Sequence, residues 1–315
     1  MNNFSIIFPG QGSQKSGMGK DLYDNFDCAK AIFDTADRVI GRKISDICFN
    51  GSEEELVKTV NSQPCILTVE IAALEVLKEN TNIEIVAFAG HSLGEYAALY
   101  AAGVVDLETV FLLINKRAEL MNKAAKLTDG SMAAVIGLDD ETVKNIVNNL
   151  ENVYVANYNC NGQVVITGEK TAINNNLDKF KAAGARKVIP LSVSGAFHSP
   201  YMKEVAEEFT KYLNQFNLKD SKYPVYTNVD AKLTTSADEF KEKLPKQIFS
   251  SVHWTQTINN IISSGCNQFI EAGNGKVLAG LNKKINPEII TYNIYDIESL
   301  NLFIQELNNK EKELV

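Results

Sequence analysis

Histidine, tryptophan and cysteine are scarce in this sequence, with three, one and five of them in 315 residues. Each shortage excludes something. Cys28, Cys48, Cys65, Cys160 and Cys266 are scattered, odd in number and free of C-x-x-C spacing. That excludes a zinc ribbon or a redox dithiol and leaves reduced, buried thiols, so no metal is expected. No apolar run is read as long enough to span a bilayer. The first residues lack a basic segment, and their apolar run is too short for a signal peptide. The expectation is a cytoplasmic protein without a membrane partner. Basic charge is short too: the net charge of -8 argues against nucleic acid or an anionic surface as partner. Repeats and low-complexity segments are absent. Hydrophobic residues at 45% and charged residues at 22% suit one large α/β domain or two smaller ones.

One short stretch organises what is present. Ile83 to Ala89 reads as a buried strand, Gly90-His91-Ser92-Leu93-Gly94 as a turn, and Glu95 to Ala102 as a helix closed by Gly103. Gly-x-Ser-x-Gly between a strand and a helix is a nucleophile elbow. The turn brings backbone against backbone, so Gly90 and Gly94 cannot carry side chains. The helix start behind Ser92 offers free N–H groups to a developing oxyanion. The bare pattern also occurs in ordinary turns; the flanking strand and helix are what give it weight.

Upstream, Phe4 to Phe8 reads as a strand running into Pro9-Gly10-Gln11-Gly12-Ser13-Gln14. A dinucleotide fingerprint would need glycine where Lys15 stands, and a phosphate loop fails because Asp21 follows Gly19-Lys20. Asn61-Ser62-Gln63-Pro64 reads as a polar cap opening a helix, with Gln63 solvated unless it has a role. Asp106 caps the next helix, whose apolar stripe includes Ile114 and Met121. Arg117 lies on that stripe. A buried arginine needs an acceptor: a structural carboxylate elsewhere in the chain, water reached by a snorkelling side chain, or the carboxylate of a substrate held by a two-pronged hydrogen bond.

Residues 131 to 191 alternate as β-α-β-β-α-β, with Asn161-Gly162 at a tight hairpin. That is the ferredoxin-like pattern, read as an insertion in a larger domain. The expected fold class is therefore an α/β-hydrolase-like domain with a mostly parallel sheet, residues 1–126 and 193–315, plus a ferredoxin-like βαββαβ subdomain, residues 127–192. The strand read at Val225–Val229 and a loose polar tail from Asn308 complete the chain.

A serine hydroxyl needs a base. His91 adjoins Ser92 and should point away from it. His253 stands at a helix start. His198, in the loop Ser194-Gly195-Ala196-Phe197-His198-Ser199-Pro200, follows the serine as in α/β-hydrolase-type sites and is the favoured base. No aspartate offers itself as the third member, and a backbone carbonyl can serve instead.

Together these segments resemble the malonyl-CoA:acyl carrier protein transacylase family over nearly the whole chain. The match includes Pro9–Gln14, Gly90–Glu95, Lys116–Met121, Asn157-Tyr158-Asn159, Gly162–Val165, Gly195–Ser199, Val252–Thr255 and Gly273–Leu278. The resemblance implies Ser92 as nucleophile, His198 as base, and the N–H groups of Gln11 and Leu93 as oxyanion hole. It implies that Arg117 clamps a malonyl carboxylate. Gln63, Met121, Asn157 and Asn159 would stand along the substrate path, and Phe197 would fill the space of an α-methyl branch and so disfavour methylmalonyl. A main-chain carbonyl near His253 would orient the imidazole, although histidine there departs from the family's usual Gln or Arg. The implied reaction is ping-pong transfer of malonyl from malonyl-CoA to the phosphopantetheine thiol of an acyl carrier protein, with no cofactor. The free-standing enzyme would serve fatty-acid or polyketide synthesis. A serine thioesterase, a trans-acting acyltransferase loading polyketide synthase carrier domains, and a silent carrier-docking module stay open as rivals.

Overall fold

Strands buried on both faces organise the larger part of the molecule. In the computed structural model, which describes residues 3–193 and 195–313, the chain opens with strand β1 (Asn3–Phe8). Its Ile6 and Phe8 enter one apolar cluster and its Ile7 another, as continuous apolar runs do in a covered parallel sheet. Helices α1 (Lys20–Asn25), α2 (Asp27–Ile40), α3 (Ile44–Asn50), α4 (Glu53–Leu56) and α5 (Thr59–Asn80) follow. Strand β2 (Glu84–Gly90), helix α6 (Gly94–Ala101) and helix α7 (Leu107–Leu127) come next. Asp106 caps α7 as expected, accepting the Thr109 N–H at 2.8 Å.

Helix α5 departs from the sequence reading twice. It begins at Thr59, so Pro64 lies inside it instead of at its mouth. Proline cannot donate to the Val60 carbonyl one turn back, and Arg42 supplies the missing donor at 2.8 Å. By length and composition α5 could also cross a membrane, a stretch that the sequence reading passed over. Here 89% of its most apolar window is buried inside the protein, where it packs between α2 and α7.

The middle of the chain runs β3 (Gly130–Ile136), α8 (Asp140–Asn148), β4 (Val153–Cys160), β5 (Gln163–Glu169), α9 (Lys170–Ala182) and β6 (Lys187–Pro190). These strands form an antiparallel sheet in the order β4-β5-β3-β6, over a separate core that includes Val135, Val143, Ile166 and Phe180.

The last third contains α10 (Lys203–Leu213), β7 (Val225–Tyr226), β8 (Leu233–Thr234), α11 (Ala237–Phe249), α12 (Trp254–Ser263), β9 (Gln268–Ala272), α13 (Val277–Ile285), β10 (Ile290–Ile294) and α14 (Ile297–Glu313). β7 is shorter than expected because a turn intervenes, closed by the Ala231 N–H on the Thr227 carbonyl at 2.9 Å. The segment from Asn308 to Glu313 is helical, not loose. It continues α14, whose Leu300, Phe303 and Leu307 are buried at helical spacing. Ser194 lies outside the described residues.

The large sheet has the order β10-β9-β1-β2-β7-β8 and is parallel except for β7 with β8. β1 and β2 run side by side, with Phe8 opposite Gly90. Their outgoing loops, Pro9–Gln14 and His91–Leu93, therefore emerge together at the carboxyl ends of adjacent strands, where open α/β sheets bind ligands.

Candidate active site

The turn after β2 is as tight as its glycines require. A Cβ on Gly90 would lie 1.9 Å from the Gly94 carbonyl carbon, and one on Gly94 would lie 2.3 Å from the Phe8 oxygen. Ser92 itself takes a left-handed φ of 54°, a costly conformation for a residue with a side chain. What holds it is a brace behind the turn. Asn228 accepts the Ser92 N–H at 2.7 Å and donates its amide to the Gly90 carbonyl at 2.7 Å. The Pro9–Gln14 loop presses on the other side, where a Cβ on Gly10 would sit 2.7 Å from the His91 oxygen.

Three groups meet at the serine. His198, 106 residues further along the chain, places Nε2 2.8 Å from Ser92 Oγ. Arg117 donates from Nη2 to the same oxygen at 3.1 Å. The carbonyls of Gln247 and Ser250 accept from His198 Nδ1 at 2.9 and 3.1 Å, which leaves Nε2 bare to take the serine proton. The expected carbonyl near His253 is thus corrected to Gln247 and Ser250. His253 is the residue before α12: its own carbonyl accepts the Thr257 N–H at 2.9 Å, and its ring stacks on Tyr158.

Arg117 is 1% exposed. Of the alternatives open from sequence, this burial rules out snorkelling to water, and among the described residues no structural carboxylate touches the guanidinium: its partners there are the amide oxygens of Gln63 at 2.6 Å and Gln247 at 3.0 Å. Gln63 is accordingly a buried support for the guanidinium, not a solvated cap. Burial lowers the Arg117 pKa, but arginine stays charged in proteins. Burial, followed by that charge, pushes His198 down to about 3, so the imidazole is neutral at physiological pH.

A cavity of about 260 Å³ opens over these groups. Gln11, Leu93, Met121, Asn157 and Phe197 line it together with Ser92, Arg117 and His198. Asn159 stands one step back, its Oδ1 accepting from His91 Nε2 at 2.8 Å, and the His91 ring lies against Trp254. Among the described residues no cluster of three or more His, Cys, Asp or Glu could hold a metal ion.

Behind the cavity stand residues that the sequence did not single out. Gln247, fully buried on α11, donates to the Ser92 carbonyl at 2.8 Å and to Glu95 Oε2 at 3.0 Å. Its side chain and its carbonyl thereby touch serine, arginine, histidine and Glu95. Glu95 Oε2 also accepts the Asn228 N–H at 2.8 Å. Burial pushes the Glu95 carboxyl up to about 7, opposed by these hydrogen bonds and by Arg117.

The acyl transferase domain family matches residues 5–285 of this sequence. The chain belongs to that family. The malonyl CoA-acyl carrier protein transacylase of Bacillus subtilis is 42% identical over 314 residues, covering 98% of this chain and 99% of the relative. An acyl carrier protein S-malonyltransferase structure from Vibrio cholerae superposes with a TM-score of 0.92 at 36% identity, covering 95% of this chain and 99% of that one. A malonyl-transacylase solved in complex with a type II polyketide acyl-carrier protein superposes with a TM-score of 0.91 at 37% identity, covering 95% and 97%. This acyl transferase therefore shares its mixed α/β architecture and mostly parallel sheet with structures of that activity.

Proposed function

We propose that the protein transfers malonyl groups from malonyl-CoA to the phosphopantetheine thiol of an acyl carrier protein. The observation that carries this reading is a buried arginine, without a carboxylate partner among the described residues, touching the hydroxyl of a serine–histidine pair. A guanidinium held by neutral amides keeps its charge for an incoming anion. A malonyl thioester presents both the carboxylate for Arg117 and the carbonyl for Ser92.

Ser92 Oγ attacks the thioester carbon while its proton passes to His198 Nε2. The N–H groups of Gln11 and Leu93 stabilise the oxyanion. The C–S bond breaks, the CoA sulfur takes the proton from His198, and malonyl remains as a serine ester. The carrier thiol then gives its proton to His198 and attacks that ester, and the proton returns to Ser92. The docked carboxylate offsets the Arg117 charge, which after burial is the second cause holding the His198 pKa down, so the imidazole recovers part of its basicity when substrate is present. The same carboxylate, held beside the ester, limits the room for a hydrolytic water. Met121, Asn157, Asn159 and Phe197 shape the acyl path, and the bulk of Phe197 supports malonyl over methylmalonyl.

The larger sheet with its elbow supports an α/β-hydrolase-like reading of residues 1–126 and 193–315, and the order β4-β5-β3-β6 a ferredoxin-like reading of residues 127–192. The carrier belongs to fatty-acid or polyketide synthesis, and we place the reaction in the cytoplasm. The test is mass spectrometry after mixing with malonyl-CoA. One malonyl group is expected on Ser92 and transferable to a holo carrier protein. In Arg117→Ala, malonyl loading should fall about 10²-fold or more. Unchanged loading would remove the arginine from its role, and steady hydrolysis without a stable adduct would favour the thioesterase.

A further inference from the structure

Among the described residues Arg117 has no carboxylate in direct contact, yet one stands a single amide away. Gln247 accepts from Arg117 with Oε1 at 3.0 Å and donates from Nε2 to Glu95 Oε2 at 3.0 Å. Guanidinium and carboxyl are thus bridged by one side chain, and both residues are buried, at 1% and 0% exposure. The hydrogen bonds on Glu95 are lopsided. Oε2 accepts from Gln247 and from the Asn228 N–H, whereas Oε1 is buried without a partner among the described residues. The charged groups facing this carboxyl are Arg117 on α7 and Lys243 on α11. Lys243 is engaged by Asp230 and Glu239, the loop after β7 presents the Asn228 N–H, and Tyr96 adds a neutral hydroxyl.

We propose that Glu95 is the resident counter-ion of Arg117 and takes up one proton, on Oε1, when a diacid half-thioester brings its own carboxylate to the guanidinium. The inference rests on the malonyl-transfer reading. With the site empty, one buried cation faces one buried carboxylate. With malonyl bound, the same buried cation would serve two anions, and a net buried charge is the costliest outcome. Protonation of Glu95 removes it, and the unpartnered oxygen is where a proton meets no donor. Glu95 touches neither the substrate nor the reacting atoms; it acts through Arg117 and is a positioning residue.

The sign follows from the balance. Enzyme with ionised Glu95, malonyl-CoA and one proton give malonyl-enzyme with neutral Glu95 and CoA, so loading is favoured by acid. Glu95 titrates near 7 in the empty site. Above about pH 7 the KM for malonyl-CoA should rise by up to tenfold per pH unit, and below it the dependence should vanish, while kcat changes little. Glu95→Gln keeps an acceptor oxygen for Asn228 and Gln247 and cannot titrate, so its KM should stay flat across this range. The direct measurement is proton uptake during a single malonylation at pH 8 in weak buffer, read with an indicator dye. The ionisation of released CoA is subtracted from a titration of free CoA. Close to one proton per malonyl is expected in the wild type and none in Glu95→Gln. Uptake that persists in the variant would assign the proton to His198 and overturn the proposal. Malonyl-enzyme forming without uptake would overturn it while leaving the transfer reading intact, and absence of any malonyl-enzyme would strike at that reading itself. If the variant does not fold, infrared difference spectra of the wild type decide. With ¹³C-malonyl shifting the ester bands, a new protonated-carboxyl stretch supports the proposal, and its absence refutes it.

Discussion

The front of the active site and the wall behind it are built by different rules. The front comes from two loops that leave adjacent parallel strands, and its geometry is written in residue types. Gly90 and Gly94 are glycines because any Cβ would strike the backbone. The wall comes from α11 and from the turns at residues 228 and 250, more than a hundred residues downstream. Its contributions are amides and main-chain carbonyls. A carbonyl can come from any residue, so that layer leaves almost no trace in a sequence. The front performs the chemistry, and the wall fixes tautomer, charge and angle.

The sharpest separation between the two layers should come from removing the reacting groups. Ser92→Ala or His198→Ala should lower malonyl transfer by at least about 10⁴-fold, with the circular dichroism spectrum and melting temperature close to wild type. The double variant should lose little beyond either single one, because the two residues act as a unit. If Ser92→Ala still accumulates a covalent malonyl group, the nucleophile lies elsewhere and the distinction between front and wall collapses.

Gln247 offers an intermediate cut, because one residue serves the wall in two ways. Gln247→Ala keeps the main-chain carbonyl on His198 Nδ1 and deletes the amide shared by Arg117, the Ser92 carbonyl and Glu95. Misplacing the arginine and the elbow should cost up to about 10²-fold in kcat/KM. The buried groups left unpaired should cost about 1–3 kcal/mol in stability, read by urea denaturation. A variant with wild-type kinetics and stability would show that the wall is only packing.

This contrast also explains what the sequence made legible. β1 and β2 were visible because strands covered on both faces read as unbroken apolar runs, and the βαββαβ order was visible through its turn at Asn161-Gly162. Ser92, His198 and Arg117 stood out by chemistry: a strained turn, a scarce base, a cation on an apolar stripe. Helix α11 was missed because Pro245 interrupts its pattern, and the start of α5 was misplaced because Pro64 resembles a helix opening. Gln63 and Gln247 are ordinary polar residues in sequence; only the buried guanidinium between them gives them a task.

The smallest expected effect comes from His253, expected at the carbonyl that orients the base. His253 follows closely on Ser250 and Ser251, so its segment does hold the base in place, but through Ser250. The His253 N–H is spent on the Asn228 carbonyl at 3.0 Å, and its ring lies against Tyr158 with centroids 5.1 Å apart. Burial lowers the His253 pKa, and among the described residues the partners of Ser92 Oγ are His198 and Arg117, not His253. His253→Gln leaves every main-chain donor and acceptor in place and removes a ring from one half-buried stack. Activity should therefore stay within about threefold and stability within about 0.5 kcal/mol, with an unchanged pH–rate profile between pH 6 and 8. A loss of tenfold or more would mean that the position of the β4 strand, which the Tyr158–His253 stack helps to fix, is transmitted to His198, and the wall would then extend into the smaller sheet.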